Sequence, residues 1–193
     1  MTDVPYTPDA QFISQSLLHE RVVQLGSDIE EHYKQAEYAP LLLIGLLKGS
    51  FIFLADLMRH ITLPHTVDFM IVASYGSGME SPGWVKLGYV PPDTIYRGKH
   101  VLVVDDILDS GTTLRRVFDI IKAQEPKSVE ACVLLNKNTK AGRLNHPRFT
   151  GFCMSQPAFV VGYGMDHAEG YRHLPYITRI DETKPRGISG EPV

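Results

Sequence analysis

The stretch VLVVDDILDSGTTL, Val101 to Leu114, carries the logic of this chain in a single strand, turn and helix start. Four consecutive apolar residues run into two adjacent carboxylates, Asp105 and Asp106. Asp109 comes three residues later, then Ser110, Gly111, Thr112 and Thr113, and a helical pattern opens at Leu114. A short unbroken apolar run ended by turn residues reads as a fully buried strand of a parallel sheet. The residues after it read as a loop feeding a helix N-terminus, the edge at which open α/β sheets bind ligands. The unpaired N–H groups and dipole of that helix, beside hydroxyls and a glycine, suit a phosphate. The two carboxylates at the strand end suit a sugar diol, bare or metal-bound. Together they describe a cradle for a ribose 5-phosphate. An ordinary βα turn accounts for Ser110 as a helix cap but not for three aspartates.

At 193 residues the chain fits one α/β domain with a sizeable core, and 44% hydrophobic with 21% charged residues is the balance of a soluble globular protein. A formal charge of −3 gives no electrostatic case for nucleic acid or an anionic membrane. No apolar run approaches the roughly 18 residues that span a bilayer, and the N-terminus lacks a signal pattern, so a cytoplasmic location is expected. Cys132 and Cys153 sit in apolar runs without metal spacing and are expected to be buried and reduced.

Residues 1 to 13, with prolines at Pro5 and Pro8, read as irregular. Leu17, Leu18, Val22, Leu25 and Ile29 then mark an amphipathic helix from a Ser14 cap to about Ala36, weakened at Gly26. His19 and His32 read as solvated. LLLIGLL (Leu41 to Leu47) is a second buried strand, followed by Lys48-Gly49-Ser50 and the helix FIFLADLMRHI. Lys48 is either a surface lysine or a cation in the Asp105 crevice. Val67 to Ala73 is a strand, and the glycine-rich stretch from Ser74 is long enough to be functional, whether lid, hairpin with Trp84 to Leu87, or both. A helix over Thr113 to Gln124 precedes a strand over Val129 to Leu135, which delivers Lys137 to the same edge. Residues 138 to 148 form a loop, with His146 structural. Phe149 to Cys153 and Ala158 to Gly162 are two further short strands.

VLVVDDILDSGTTL resembles the phosphoribosyl-diphosphate (PRPP) motif of the purine phosphoribosyltransferases, and further motifs match in family order. LKG is similar to the diphosphate loop of the hypoxanthine members, whose Leu-Lys peptide, here Leu47-Lys48, can be cis. SYGSGM, led by Ser74 and Tyr75, resembles their active-site flap. FVVGYGMD resembles the base-binding segment and RHLPYI the C-terminal signature. The resemblance runs from about Leu41 to Ile177, on the side of the bacterial hypoxanthine enzymes. It implies a type I phosphoribosyltransferase fold: an α/β domain over residues 1–193, with a mostly parallel sheet flanked by helices, a mobile flap, and a small hood from the two terminal segments. The implied activity is purine salvage, moving the 5-phosphoribosyl group from PRPP to N9 of hypoxanthine or guanine.

By the same resemblance, Asp109 accepts a proton at purine N7, and Asp105 and Asp106 hold the ribose hydroxyls directly or through Mg2+. The Ile107, Leu108, Ser110, Gly111, Thr112 and Thr113 loop binds the 5-phosphate. Lys48, Gly49, Ser74, Tyr75 and Arg172 serve PRPP and its diphosphate. Lys137 contacts the 6-oxo group, Phe159 stacks on the purine, backbone around Val160 meets its pyrimidine edge, and Asp166 beside the base helps hold Mg2+. A homodimer or homotetramer is expected by analogy. Three departures stand out: Asp105-Asp106 replaces the common Glu-Asp, Ala158 replaces a charged residue, and His167 follows the metal aspartate in place of tyrosine. Two rival readings compete. A haloacid dehalogenase-type phosphatase lacks its Asp-x-Asp spacing here, and a non-catalytic RNA-binding regulator on the same fold needs a basic face.

Overall fold

The computed structural model describes residues 11–36, 39–74, 85–137, 147–154 and 158–180. Its centre is a six-stranded sheet in the order β4-β3-β2-β5-β6-β7, built from β2 (Leu41–Leu47), β3 (His65–Ser74), β4 (Val85–Tyr89), β5 (His100–Leu108), β6 (Ser128–Asn136) and β7 (Phe149–Cys153). All neighbours are parallel except β4, which pairs antiparallel with β3.

The apolar runs of β2, β5 and β6 are explained by burial on both faces. Leu41, Leu43, Leu102, Val104, Cys132 and Leu134 face α1 (Gln15–Gln35) and α2 (Phe51–Met58). Leu42, Ile44, Val101, Val103, Ala131 and Val133 face α3 (Thr112–Lys122). The chain leaves β2 through α2 on one face and β5 through α3 on the other. The sheet order therefore reverses between β2 and β5, and a crevice opens at their carboxyl ends.

Ser14 caps α1 as expected, its hydroxyl accepting the Leu17 N–H at 3.3 Å. Gly26 weakens the helix for a reason: a side chain there would overlap the His60 backbone at the end of α2, so the glycine allows the close crossing. A second, three-stranded sheet in the order β1-β9-β8 joins the two ends of the described chain through β1 (Gln11–Ile13), β8 (Val160–Val161) and β9 (Ile177–Arg179). Strands of two or three residues carry no readable alternation, so β1 and β9 have no signature in the sequence.

Three expectations need correction. β5 continues to Leu108, so Ile107 and Leu108, expected in the phosphate loop, stand on the strand itself, paired with β6, while Asp105 and Asp106 lie toward the carboxyl end of that strand as expected. Cys153 is exposed, because β7 is the edge strand of the sheet; Cys132 is buried on β6, and both thiols are free. His32 is not solvated: its Nε2 lies 2.7 Å from Glu130 Oε2, and Tyr33 donates to the same oxygen at 3.0 Å. Among the described residues no helix is long and apolar enough to cross a membrane.

Candidate active site

The loops after β2 and β5 meet in the crevice. A side chain on Gly49 would collide with the Asp106 carboxylate, and one on Gly164 with the Gly49 carbonyl. The Lys48 loop, the β5 tip and the base-binding segment are thus stacked in direct contact. The Leu47–Lys48 peptide is cis.

On β5, the Asp106 backbone N–H donates to Asp105 Oδ1 at 3.0 Å. Burial pushes both carboxyls above the usual aspartate range, and for Asp105 the neighbouring Asp106 adds to it; the charge of Arg172 pulls Asp106 the other way. No three acidic, histidine or cysteine side chains among the described residues converge tightly enough to hold one ion. Asp105–Asp106 and Asp166 are therefore not one cluster.

Beyond Leu108 the chain turns through Asp109, Ser110 and Gly111, and Gly111 takes the left-handed conformation (φ 76°) that starts α3. No side chain caps the helix at Gly111; Ser110 Oγ instead meets Thr112 Oγ1 at 3.1 Å and, at 3.4 Å, the Thr112 N–H. The helix begins at Thr112, one or two residues earlier than its apolar pattern suggests. The Leu108 side chain is buried against α3 and that of Ile107 packs on the opposite core, which leaves only their backbone for any ligand. Asp109 faces the tip of β6, where Lys137 Nζ donates to its Oδ2 at 3.0 Å and the Lys137 N–H donates to the Leu108 carbonyl at 2.9 Å.

A second charged group lies on the Lys48 side. Arg172 donates through Nη1 to the Gly164 carbonyl at 2.8 Å, and its Nη2 lies 2.8 Å from Asp166 Oδ1 and 3.1 Å from Glu169 Oε2. Lys48 Nζ reaches the other oxygen of Glu169 at 2.9 Å. Hydrogen bonds from Lys48 first, and then Arg172, hold the Glu169 carboxyl below its ordinary range. The Tyr163 hydroxyl donates to Asp56 on α2 at 2.6 Å and ties the base-binding segment to the helix behind the Lys48 loop. Phe159 is half-exposed beside the edge strand β8, its ring perpendicular to His167 at 5.1 Å.

The predicted residues thus gather in two groups, Asp109 with Lys137, and Lys48 and Gly49 with Asp106, Asp166 and Arg172. Ser74 ends β3, while Tyr75 and the remainder of the flap lie outside the described residues, as does His146. Glu169 and Tyr163 are not singled out by the sequence. Glu169 stands between two marked residues, Asp166 and Arg172, which is the one signal that could have flagged it.

A doubly wound sheet with an acidic strand tip, an open helix N-terminus and a lysine-arginine pair at its switch point is the architecture of a phosphoribosyl-group transferase. The chain belongs to the phosphoribosyl transferase domain family, matched over residues 16–168. Within that family it is similar to the hypoxanthine phosphoribosyltransferase of Escherichia coli (strain K12), at 46% identity over 169 residues, 87% of this chain and 93% of that one. It is also 38% identical over 168 residues to the hypoxanthine-guanine phosphoribosyltransferase of Dictyostelium discoideum, covering 86% of this chain and 91% of the relative. Its fold matches a crystal structure of a hypoxanthine-guanine phosphoribosyltransferase from Bacillus anthracis with a TM-score of 0.79 and 37% identity, over 91% of this chain and all of the other (100%).

Proposed function

We propose that this protein is an enzyme of purine salvage that transfers the 5-phosphoribosyl group of PRPP to N9 of hypoxanthine or guanine, forming IMP or GMP and releasing diphosphate. The observation that carries the reading is the pairing of Asp109 with Lys137 at 3.0 Å beside the start of α3. A 6-oxopurine presents O6 and N7 side by side on one edge. Lys137 donates to O6 while Asp109 takes the proton from N7–H as N9 bonds to C1′ of the ribose. The C1′–oxygen bond to diphosphate breaks in the same exchange, and its electron pair leaves with the diphosphate. A 6-amino group in place of O6 would set donor against donor, which disfavours adenine.

Phe159 stacks on the base, and the outer backbone of β8 at Val160 serves its pyrimidine edge. The amides from Ser110 to Thr113 hold the 5-phosphate and so fix the anomeric carbon through remote binding. Asp105 and Asp106 take the ribose hydroxyls, whose donors relieve two crowded carboxylates. The adjacent carboxylates on β5 also suit Mg2+, which typically accepts one or two carboxylates and completes its shell with substrate oxygens and water. Asp105 and Asp106 would help hold Mg2+ on the ribose side, and Asp166 would separately help hold Mg2+ on the diphosphate side, where it would neutralise charge on the leaving group. Lys48 and Arg172 bind the diphosphate oxygens directly. Nothing in the fold or among the relatives favours the phosphatase or the regulator.

The test is direct. With PRPP and Mg2+, hypoxanthine and guanine should yield nucleotide and diphosphate, while adenine and uracil should not. Loss of phosphate from PRPP without transfer, or no reaction with any base, would overturn the assignment.

A further inference from the structure

Lys48 and Arg172, the two cations assigned to the diphosphate, are not waiting empty-handed. Each oxygen of the Glu169 carboxylate holds one of them: Oε1 lies 2.9 Å from Lys48 Nζ and Oε2 lies 3.1 Å from Arg172 Nη2. These residues come from loops 121 positions apart for the Lys48 pair, so the bridge ties the β2 loop to the C-terminal segment. The turn that presents Glu169 is a tight one, closed by His167 and Gly170, with the Gly170 N–H donating to the His167 carbonyl at 2.9 Å. Both Ala168 (φ 50°) and Glu169 (φ 64°) are left-handed, a conformation that glycine adopts without strain and other residues do not. The Glu169 N–H is tied down by Asp166 Oδ2 at 2.9 Å. A strained, well-fastened turn therefore aims one carboxylate at two cations on the mouth of the crevice.

We infer that Glu169 is a built-in competitor of the diphosphate, bridging Lys48 and Arg172 in the unliganded enzyme and closing on them again as diphosphate leaves. This rests on the function proposed above. A carboxylate neutralises the two cations enough to keep them together without mutual repulsion. It is also weak enough to yield, because both Lys48 and Glu169 are largely exposed to water. Diphosphate, with more charge and more oxygens, displaces it. The exchange lowers the affinity for diphosphate and speeds its release, a step that limits turnover in many enzymes. It leaves the purine and the 5-phosphate untouched, since these meet Asp109, Lys137 and the start of α3.

Calorimetric titration of inorganic diphosphate at saturating magnesium, alongside titration of IMP, tests the inference. Glu169→Gln keeps the shape and removes the charge; it should bind diphosphate about three- to tenfold more tightly, the scale of two exposed ion pairs. The gain should shrink at high salt, which screens such pairs. IMP affinity should stay within twofold of wild type. Glu31→Gln, on the exposed face of α1, makes the same change in net charge and should leave both titrations unaltered. Diphosphate affinity that is unchanged or weaker in Glu169→Gln would overturn the inference, as would an equal gain in Glu31→Gln. A wild-type protein that binds neither diphosphate nor IMP would instead remove the proposed function itself, and the inference with it.

Discussion

Replacing Lys137 by methionine keeps the length and apolar stem of the side chain and deletes only its charged donor. The backbone is held independently, by the Lys137 N–H to the Leu108 carbonyl, so β6 should keep its place. In the free enzyme the lost partner is Asp109, whose side chain is 57% exposed against 18% for Lys137. Water can replace the lysine there, and the cost to folding should be well under about 1 kcal/mol. In the proposed complex the balance is different, because O6 would meet Lys137, whose side chain is largely covered. A hydrogen bond from a charged donor contributes about 1.5–3 kcal/mol. At 1.36 kcal/mol per factor of ten, kcat/KM for hypoxanthine should fall about 10- to 150-fold. Coupled assay of IMP formation and calorimetric titration of PRPP give the two readouts, and PRPP affinity should remain within twofold. Lys137→Gln, whose amide can donate or accept, should recover part of the loss and blunt discrimination against adenine. A fall below threefold, or an equal loss in PRPP binding, would refute the placement of O6 at Lys137.

Asp109→Asn should bind PRPP as wild type does but lose about 10²- to 10⁴-fold in turnover, the usual contribution of a positioned base; undiminished product formation would remove its proton-transfer role. Gly49→Ala pushes a methyl into the Asp106 carboxylate, and overpacking of about 1–3 kcal/mol should raise KM for PRPP at least fivefold; an unaltered KM would show that the two loops can part freely. Glu30 is held by Lys34 and by the Thr62 hydroxyl and N–H, and its carboxyl is pulled from 4.5 down to about 2. A folded-state value below the unfolded one gives stability that is present above about pH 4.5 and lost as pH falls toward 2. Urea midpoints of wild type and Glu30→Gln should therefore differ at neutral pH and converge in that window; a constant gap across it would refute the assignment.

Much of this fold was legible because its strands are buried on both faces and its helices on one. LLLIGLL and VLVV announce parallel strands, and Leu18, Val22, Leu25 and Ile29 a helix, since each pattern is the direct imprint of burial. What failed to show depends on neighbours. Whether Cys153 is covered depends on whether another strand lies beyond β7, and none does among the described residues. The partner of His32 is Glu130, 98 positions away. The site divides in the same way. Asp105, Asp106, Asp109 and Lys48 sit at strand ends, where the fold class alone sends them to one edge. Glu169 owes its place to a left-handed turn and to Lys48, 121 positions away, and no spacing in the sequence encodes that pairing.

The central claim is that the turn after β5 grips the phosphate of a purine nucleotide while Asp109 and Lys137 hold its base. A crystal structure with IMP bound tests this most directly. The 5-phosphate should lie against the amides of Ser110 to Thr113, with O6 on Lys137 Nζ and N7 facing Asp109. A phosphate seated elsewhere, or a base turned away from Lys137, would contradict it.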